Sequence, residues 1–259
     1  MTGKVYLIGA GPGDPDLLTV KAARILQSAD VVLHDSLVSP EVLALVSPRA
    51  EVVHIGKRAG RKLLTQDEIN AVLVHYARSK SVVVRLKGGD PLIFGRASEE
   101  IDALRAAGVP LEIVPGISSS LAAAAAAGVS LTDRRRASQV LFTTAHQAPG
   151  KTSLDWTSIA AGNTTIVVYM TGSDYGRLGS SLAEAGLDAA TPCLVVSCAS
   201  RPEQQMRWTS LHRLGDEPAL PAPALIIVGK VATSSAALAD SGIWDQIAAS
   251  GLPLPARKF

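Results

Sequence analysis

The side chains best equipped for chemistry crowd into one stretch, Arg85-Leu-Lys-Gly-Gly-Asp-Pro-Leu-Ile-Phe-Gly-Arg96. Three cations (Arg85, Lys87, Arg96) and one carboxylate (Asp90) share it, a set that suits an acidic ligand or a solvated turn. Other candidates follow the same pattern of apolar run, then polar residue. Asp35 ends Val31-Val-Leu-His34, and the basic loop Gly56-Lys57-Arg58-Ala-Gly60-Arg61 follows Glu51-Val-Val-His-Ile55. Arginine grips carboxylates through two parallel hydrogen bonds, so that loop is a solvated turn or a carboxylate landing site. Ser118 to Ser120 follow Leu111-Glu-Ile-Val114 and suit the cap of the alanine-rich helix behind them. Arg134 to Arg136 form a basic bend, solvated or again carboxylate-binding.

The elements that must position these residues are legible. Val82 to Leu86 is a buried strand. Gly88-Gly89 frees the backbone, and Pro91 ends the strand. The charged loop is thus expected at a strand's carboxyl end, where open α/β sheets bind ligands. Upstream, strand Val5 to Ile8 runs into Gly9-Ala-Gly-Pro-Gly-Asp-Pro15 and a helix expected from Asp16 to Ser28. The spacing is G-x-G-x-G, not the dinucleotide fingerprint G-x-G-x-x-G, and Pro12 and Pro15 remove two backbone donors. Successive strand residues face opposite ways, so His34 and Asp35 do not pair while the strand holds. Thr65-Gln-Asp-Glu68 is a capping box. The helix behind it buries Ile69, Val72, Leu73 and Tyr76, and a later helix runs from Ser98 to Ala107.

Five strands alternating with helices over residues 1–115 make one α/β domain. The second half carries strands near 139–144, 165–170, 193–197, 206–211 and 224–228, with helices at 173–185 and 234–247. The expected division is an N-terminal α/β domain at 1–116, a C-terminal α/β domain at 117–240 and a tail at 241–259.

Bulk properties narrow the classes. The chain has 259 residues, 47% hydrophobic and 19% charged, and a net charge of +2. That balance suits a globular enzyme and gives no ground for a nucleic-acid partner. Two cysteines, Cys193 and Cys198, flank an apolar run and read as buried free thiols, and the scattered histidines give no metal site. The alanine run 121–127 is too short to span a membrane, which takes about 20 residues. With a strand entered at Val5 and no room for a signal peptide, a cytoplasmic location is expected.

The string Lys-Gly-Gly-Asp-Pro-x-Ile-Phe-Gly-Arg resembles the signature loop of uroporphyrinogen-III C-methyltransferases, within the tetrapyrrole methylase family. The likeness continues through Gly9 to Ala22, Asp35-Ser-Leu-Val-Ser39, Gly56 to Gly60, Val114-Pro-Gly-Ile-Ser118, Gly128 to Arg134, Val168-Tyr-Met170 and Pro223 to Val231. It implies two α/β domains with the active site in the cleft between them, a homodimer, and S-adenosylmethionine as co-substrate without a metal. Cofactor contacts carry over to Pro12, Gly88, Gly89, Asp90, Ile93, Ser118, Ser119, Met170 and Ala199. Asp35 becomes the proton acceptor and Lys57 the proton donor or charge stabiliser. Arg58, Arg61, Arg96 and Arg134 become grips for the acetate and propionate groups of uroporphyrinogen III. The implied reaction methylates that substrate at C2 and C7 to give precorrin-2, for sirohaem or cobalamin synthesis.

Departures from the family pattern are Ser36 for arginine, Ser130 for proline, Asp133 for histidine, Thr171 for glycine, and Ser197-Cys-Ala-Ser200 for Glu-Asn-Gly-Thr. They leave two rivals, a methylase acting on a later precorrin and a binding protein without turnover.

Overall fold

The computed structural model describes residues 2–58, 61–62, 64–145 and 163–233. The expected helix at 234–247 and the tail lie outside them. Two compact units divide the chain. One holds residues up to Gly128 together with Cys198–Gln205; the other holds Val129–Ser197 and the chain from Met206.

In the first unit, β1 (Lys4–Gly9), β2 (Val31–His34), β3 (Glu51–His54), β6 (Val82–Lys87) and β7 (Leu111–Val114) form a parallel sheet. Its order is β3-β2-β6-β1-β7. Between β3 and β6 lie a small hairpin, β4 (Lys57–Arg58) with β5 (Arg61–Lys62), and helix α3 (Gln66–Ser79). The remaining helices of this unit are α1 (Val20–Ser28), the short α2 (Pro40–Leu43), α4 (Ala97–Ala106) and α5 (Ser119–Ala126). Parallel strands covered on both faces read as continuous apolar runs, as Val31–Leu33 of β2 and Val82–Val84 of β6 do. Ile8, Val32, Val84, Leu86 and Val114 pack with Ala22 and Leu26 of α1. Val5, Val31, Leu33 and Val83 pack with Leu73, Ala77 and Leu104 of α3 and α4.

The expected capping box forms. Thr65 Oγ1 accepts from Glu68 N at 3.2 Å, and Glu68 Oε2 accepts from Thr65 N at 2.5 Å. The helix expected from Asp16 is instead two starts. Asp14 caps a 3-10 turn over Pro15–Leu17, Leu18 is extended, and Thr19 caps α1 by accepting from Ala22 N at 3.1 Å. Two side-chain acceptors five residues apart compete for the entry, and the second starts the α-helix.

In the second unit, β8 (Gln139–Thr144), β9 (Thr164–Tyr169), β10 (Pro192–Ser197), β11 (Gln205–Ser210) and β12 (Ala224–Val228) form a sheet ordered β11-β10-β12-β9-β8. It is mixed: β8 runs parallel to β9, while β12 is antiparallel to β9 and β10. Helix α6 (Tyr175–Glu184) buries Tyr175, Leu178 and Leu182 against Ile166, Val168, Cys193, Val195, Ile226 and Val228. Both cysteines are buried free thiols, and burial pushes Cys193 up to about 12. No described helix is long and apolar enough to cross a membrane.

Candidate active site

Three strand ends of the first sheet meet backbone to backbone. A Cβ on Gly9 would stand 2.6 Å from Gly116 Cα and from Gly89 O, and one on Gly116 would stand 2.3 Å from Gly89 O. Glycine alone fits this seam. Gly11 and Gly89 exchange two backbone hydrogen bonds, at 2.7 and 3.2 Å, and Gly89 adopts φ +67°, a left-handed conformation open to glycine. The Asp90 carboxylate ties the loop down: Oδ1 accepts from Leu92 N at 2.8 Å and Oδ2 from Gly116 N at 3.0 Å. Ser119 N lies 3.8 Å from where a Gly89 Cβ would be. Ser118 is buried at the N-cap position of α5, and its hydroxyl makes no capping bond. Gly88, Gly89, Asp90, Ser118 and Ser119 thus come together, with Pro12 one residue beyond the Gly11–Gly89 pair.

Asp35 leaves the ladder at the end of β2. Leu37 N donates to its Oδ1 at 3.0 Å, and Arg85 Nη2 stands 3.9 Å from its Oδ2. His34 faces elsewhere, its Nδ1 meeting the Asp35 carbonyl rather than the carboxylate at 3.0 Å. Gly56 lies against this turn, since a Cβ there would be 3.0 Å from Asp35 Cα. The hairpin bearing Lys57, Arg58 and Arg61 therefore starts beside Asp35.

Behind Asp35 lies a charge cluster that sequence reading missed. Arg85 and Lys87, two apart on β6, point to the same face. Glu100 of α4 accepts from Arg85 Nε at 3.0 Å and from Lys87 Nζ at 3.1 Å on both oxygens. All three are buried, with Glu100 only 1% exposed. Burial pushes the Lys87 ammonium below its ordinary range; the Arg85 cation adds to this and Glu100 opposes it. Glu100 had a readable signal: it sits on the helical stripe of Ala97, Ile101 and Leu104, where a carboxylate needs a partner.

The remaining predicted residues divide. Arg96, at φ 55°, forks onto Glu99 at 2.7 Å twice, so its guanidinium has a carboxylate partner already. Arg134 and Met170 belong to the second unit. Arg134 lies exposed in a turn closed by the Asp133–Ala137 backbone pair, and Arg135 N donates to Asp133 Oδ1 at 2.8 Å. Ala199 is buried in the segment that joins the first unit. Among the described residues, the non-glycine residues at positive φ are Phe94, Arg96, Met170, Cys198 and Ser200. One is a candidate cofactor residue, and Phe94, Cys198 and Ser200 adjoin others. Such outliers gather at functional sites. A separate cavity of about 190 Å³ in the second unit, bordered by Arg136, Asp188 and Lys230, holds none of the candidates. No metal-holding group of His, Cys, Asp and Glu occurs among the described residues.

Known proteins share this plan. The family model described as Tetrapyrrole (Corrin/Porphyrin) Methylases matches residues 4–215. A siroheme synthase of Actinobacillus pleuropneumoniae is 45% identical over 230 residues, covering 88% of this chain and 47% of that protein. The chain thus spans about half the length of the curated relatives it matches. The solved uroporphyrin-III C-methyl transferase from Thermus thermophilus, complexed with S-adenyl homocysteine, is similar at TM-score 0.78 and 38% identity, covering 92% of this chain and all of that one (100%). Cobalt precorrin-4 methyltransferase matches at TM-score 0.78 and 34% identity, over 89% and 96% of the two chains. The family match reaches across both units, and this chain belongs to the tetrapyrrole methylases.

Proposed function

We propose that the chain is an S-adenosylmethionine-dependent C-methyltransferase that methylates uroporphyrinogen III at C2 and C7 to give precorrin-2. One observation supports it most: the Asp35 carboxylate, held by Leu37 N–H and facing Arg85, follows a strand end of the same parallel sheet whose other strand ends lead into the Gly9–Gly89–Gly116 seam. The glycine seam fits the co-substrate. The absence of side chains lets the strand-end loops close on one another and brings Gly89 beside Ser119 at the start of α5, whose first N–H groups are donors for the co-substrate's polar groups.

The co-substrate supplies an activated sulfonium methyl. The protein's share is mainly alignment of an electron-rich pyrrole carbon with that methyl. As the new C–C bond forms and the S–C bond breaks, the porphyrinogen loses a proton, which Asp35 accepts; Arg85 steadies the carboxylate from its other oxygen. Lys57 stabilises charge or returns a proton. Arg58, Arg61, Arg96 and Arg134 hold substrate carboxylates, Arg96 by exchanging Glu99 for a substrate group. The cofactor loop uses Pro12, Gly88, Gly89, Asp90, Ile93, Ser118 and Ser119, joined by Met170 and Ala199. The functional unit is a homodimer in the cytoplasm.

The likeness to cobalt precorrin-4 methyltransferase favours one second reading, a later corrin precursor as substrate. Incubation with methyl-labelled S-adenosylmethionine and either tetrapyrrole separates the two. Label in uroporphyrinogen III supports the proposal, and label only in the later precursor rejects it.

A further inference from the structure

Asp35 has a second line of support, from a distant part of the chain. Leu37, whose N–H holds the Asp35 carboxylate, is itself held at its carbonyl: Arg201 Nη2 donates to Leu37 O at 2.5 Å. The same guanidinium reaches the cofactor loop, with Nε donating to Pro12 O at 3.3 Å. Its stem lies flat on Gly13, where a Cβ would stand 2.6 Å from Arg201 Cγ. The neighbouring groups brace this arrangement. Ser200 Oγ accepts from Asp14 N at 3.3 Å, Gln204 Oε1 accepts from Ser200 N at 2.7 Å, and Ser39 Oγ donates to Gly13 O at 2.6 Å. Cys198 and Ser200 hold positive φ to make the turn that presents Arg201. One planar fork thus joins two loops whose carbonyls face different nitrogens. A lysine ammonium, a single point of donation, does not reproduce that geometry.

We propose that Arg201 is a positioning residue for methyl transfer, clasping the Pro12 and Leu37 carbonyls and so fixing the cofactor loop against the turn that aims Asp35. The proposal rests on the roles assigned above to Pro12 and Asp35. Arg201 acts through backbone and makes no claim on substrate carboxylates.

The test compares wild type with Arg201→Gln and Arg201→Lys, and adds guanidinium ion to Arg201→Ala. The readouts are methyl-transfer kinetics, S-adenosylhomocysteine affinity by calorimetry, and thermal melting. A misplaced catalytic group costs up to about a hundredfold, so Arg201→Gln is expected to lower kcat about tenfold or more. S-adenosylhomocysteine affinity should weaken about fivefold or more, tetrapyrrole KM should stay within about twofold, and Tm should move by only a few degrees. Lysine should restore little, and guanidinium should recover part of kcat. Wild-type kcat and affinity in Arg201→Gln, full activity in Arg201→Lys, or a loss confined to tetrapyrrole KM would each overturn the proposal. Should wild type fail to methylate uroporphyrinogen III, the functional reading falls, and the S-adenosylhomocysteine affinities still decide the role of Arg201.

Discussion

Two clusters in the first unit have the same ingredients, two cations around one glutamate, and opposite surroundings. At the central strand β6, Glu100 lies between Arg85 and Lys87, all of them buried. At the edge strand β7, Glu112 takes Lys4 at 2.6 Å and also Lys21, lysines whose side chains are 40% and 60% exposed. The two lysines, Lys21 foremost, hold the Glu112 carboxyl down at about 2. The edge cluster is a solvated ion pair of small consequence. The central one removes charge from water, which is expensive unless every partner is in place. The two differ in what lies beside them: the buried cluster approaches Asp35, the proposed proton acceptor, through Arg85, while the exposed one is a solvated pair at the sheet's edge.

The largest expected effect belongs to the group in front of the buried cluster. Asp35→Asn should lower kcat by roughly 10² to 10⁴ while S-adenosylhomocysteine still binds, as steady-state kinetics and calorimetry on one preparation would show. Unchanged turnover would remove Asp35 from the chemistry and leave the buried charges without a purpose.

Next come the two glutamates. Glu100→Gln leaves buried Lys87 without its carboxylate and Arg85 with only Asp35, at 3.9 Å, as a carboxylate partner, and should destabilise by about 3–5 kcal/mol in urea unfolding. Glu112→Gln should lower the urea midpoint at pH 7 only slightly, because water screens the exposed pair. Equal effects at the two positions would erase the contrast between centre and edge.

Two glycines sharpen it further. Gly89 and Gly108 sit at nearly the same φ, +67° and +68°, and a Cβ at either meets nothing closer than 3.8 Å. Alanine at each should cost about 1 kcal/mol from backbone strain alone. S-adenosylhomocysteine affinity should fall only for Gly89→Ala.

The smallest effects are those of pH. Glu112, with its carboxyl lowered, contributes stability above its ordinary value of 4.5, and this is lost as pH falls toward about 2. Lys87, with its ammonium lowered, is protonated more readily in the unfolded chain. Its contribution therefore rises with pH in the window between its lowered value and 10.5. Lys87→Met should flatten that alkaline rise, and Glu112→Gln should flatten the acid loss, in melts taken across the pH range.

Much of this was written locally. Val82–Leu86 and Leu111–Val114 are apolar runs ended by glycine or proline, and Thr65 and Glu68 cap a helix within four residues. Asp35 was legible as a polar residue at a strand end. What stayed hidden depends on residues far apart in sequence. Glu100 reaches across fifteen positions to Arg85, and its neighbour Glu99 turns outward to Arg96. Arg201 meets Leu37 across 164 positions, in a segment whose packing with the first unit no periodicity announces. The start of α1 was misread because Asp14 and Thr19 are both good caps.

The most direct measurement is an anaerobic incubation of the purified chain with uroporphyrinogen III and S-adenosylmethionine, with the product read by mass spectrometry. Wild type is expected to form a tetrapyrrole heavier by two methyl groups, and Asp35→Asn to lose that product. An unmodified tetrapyrrole from wild-type protein that binds S-adenosylhomocysteine would contradict this.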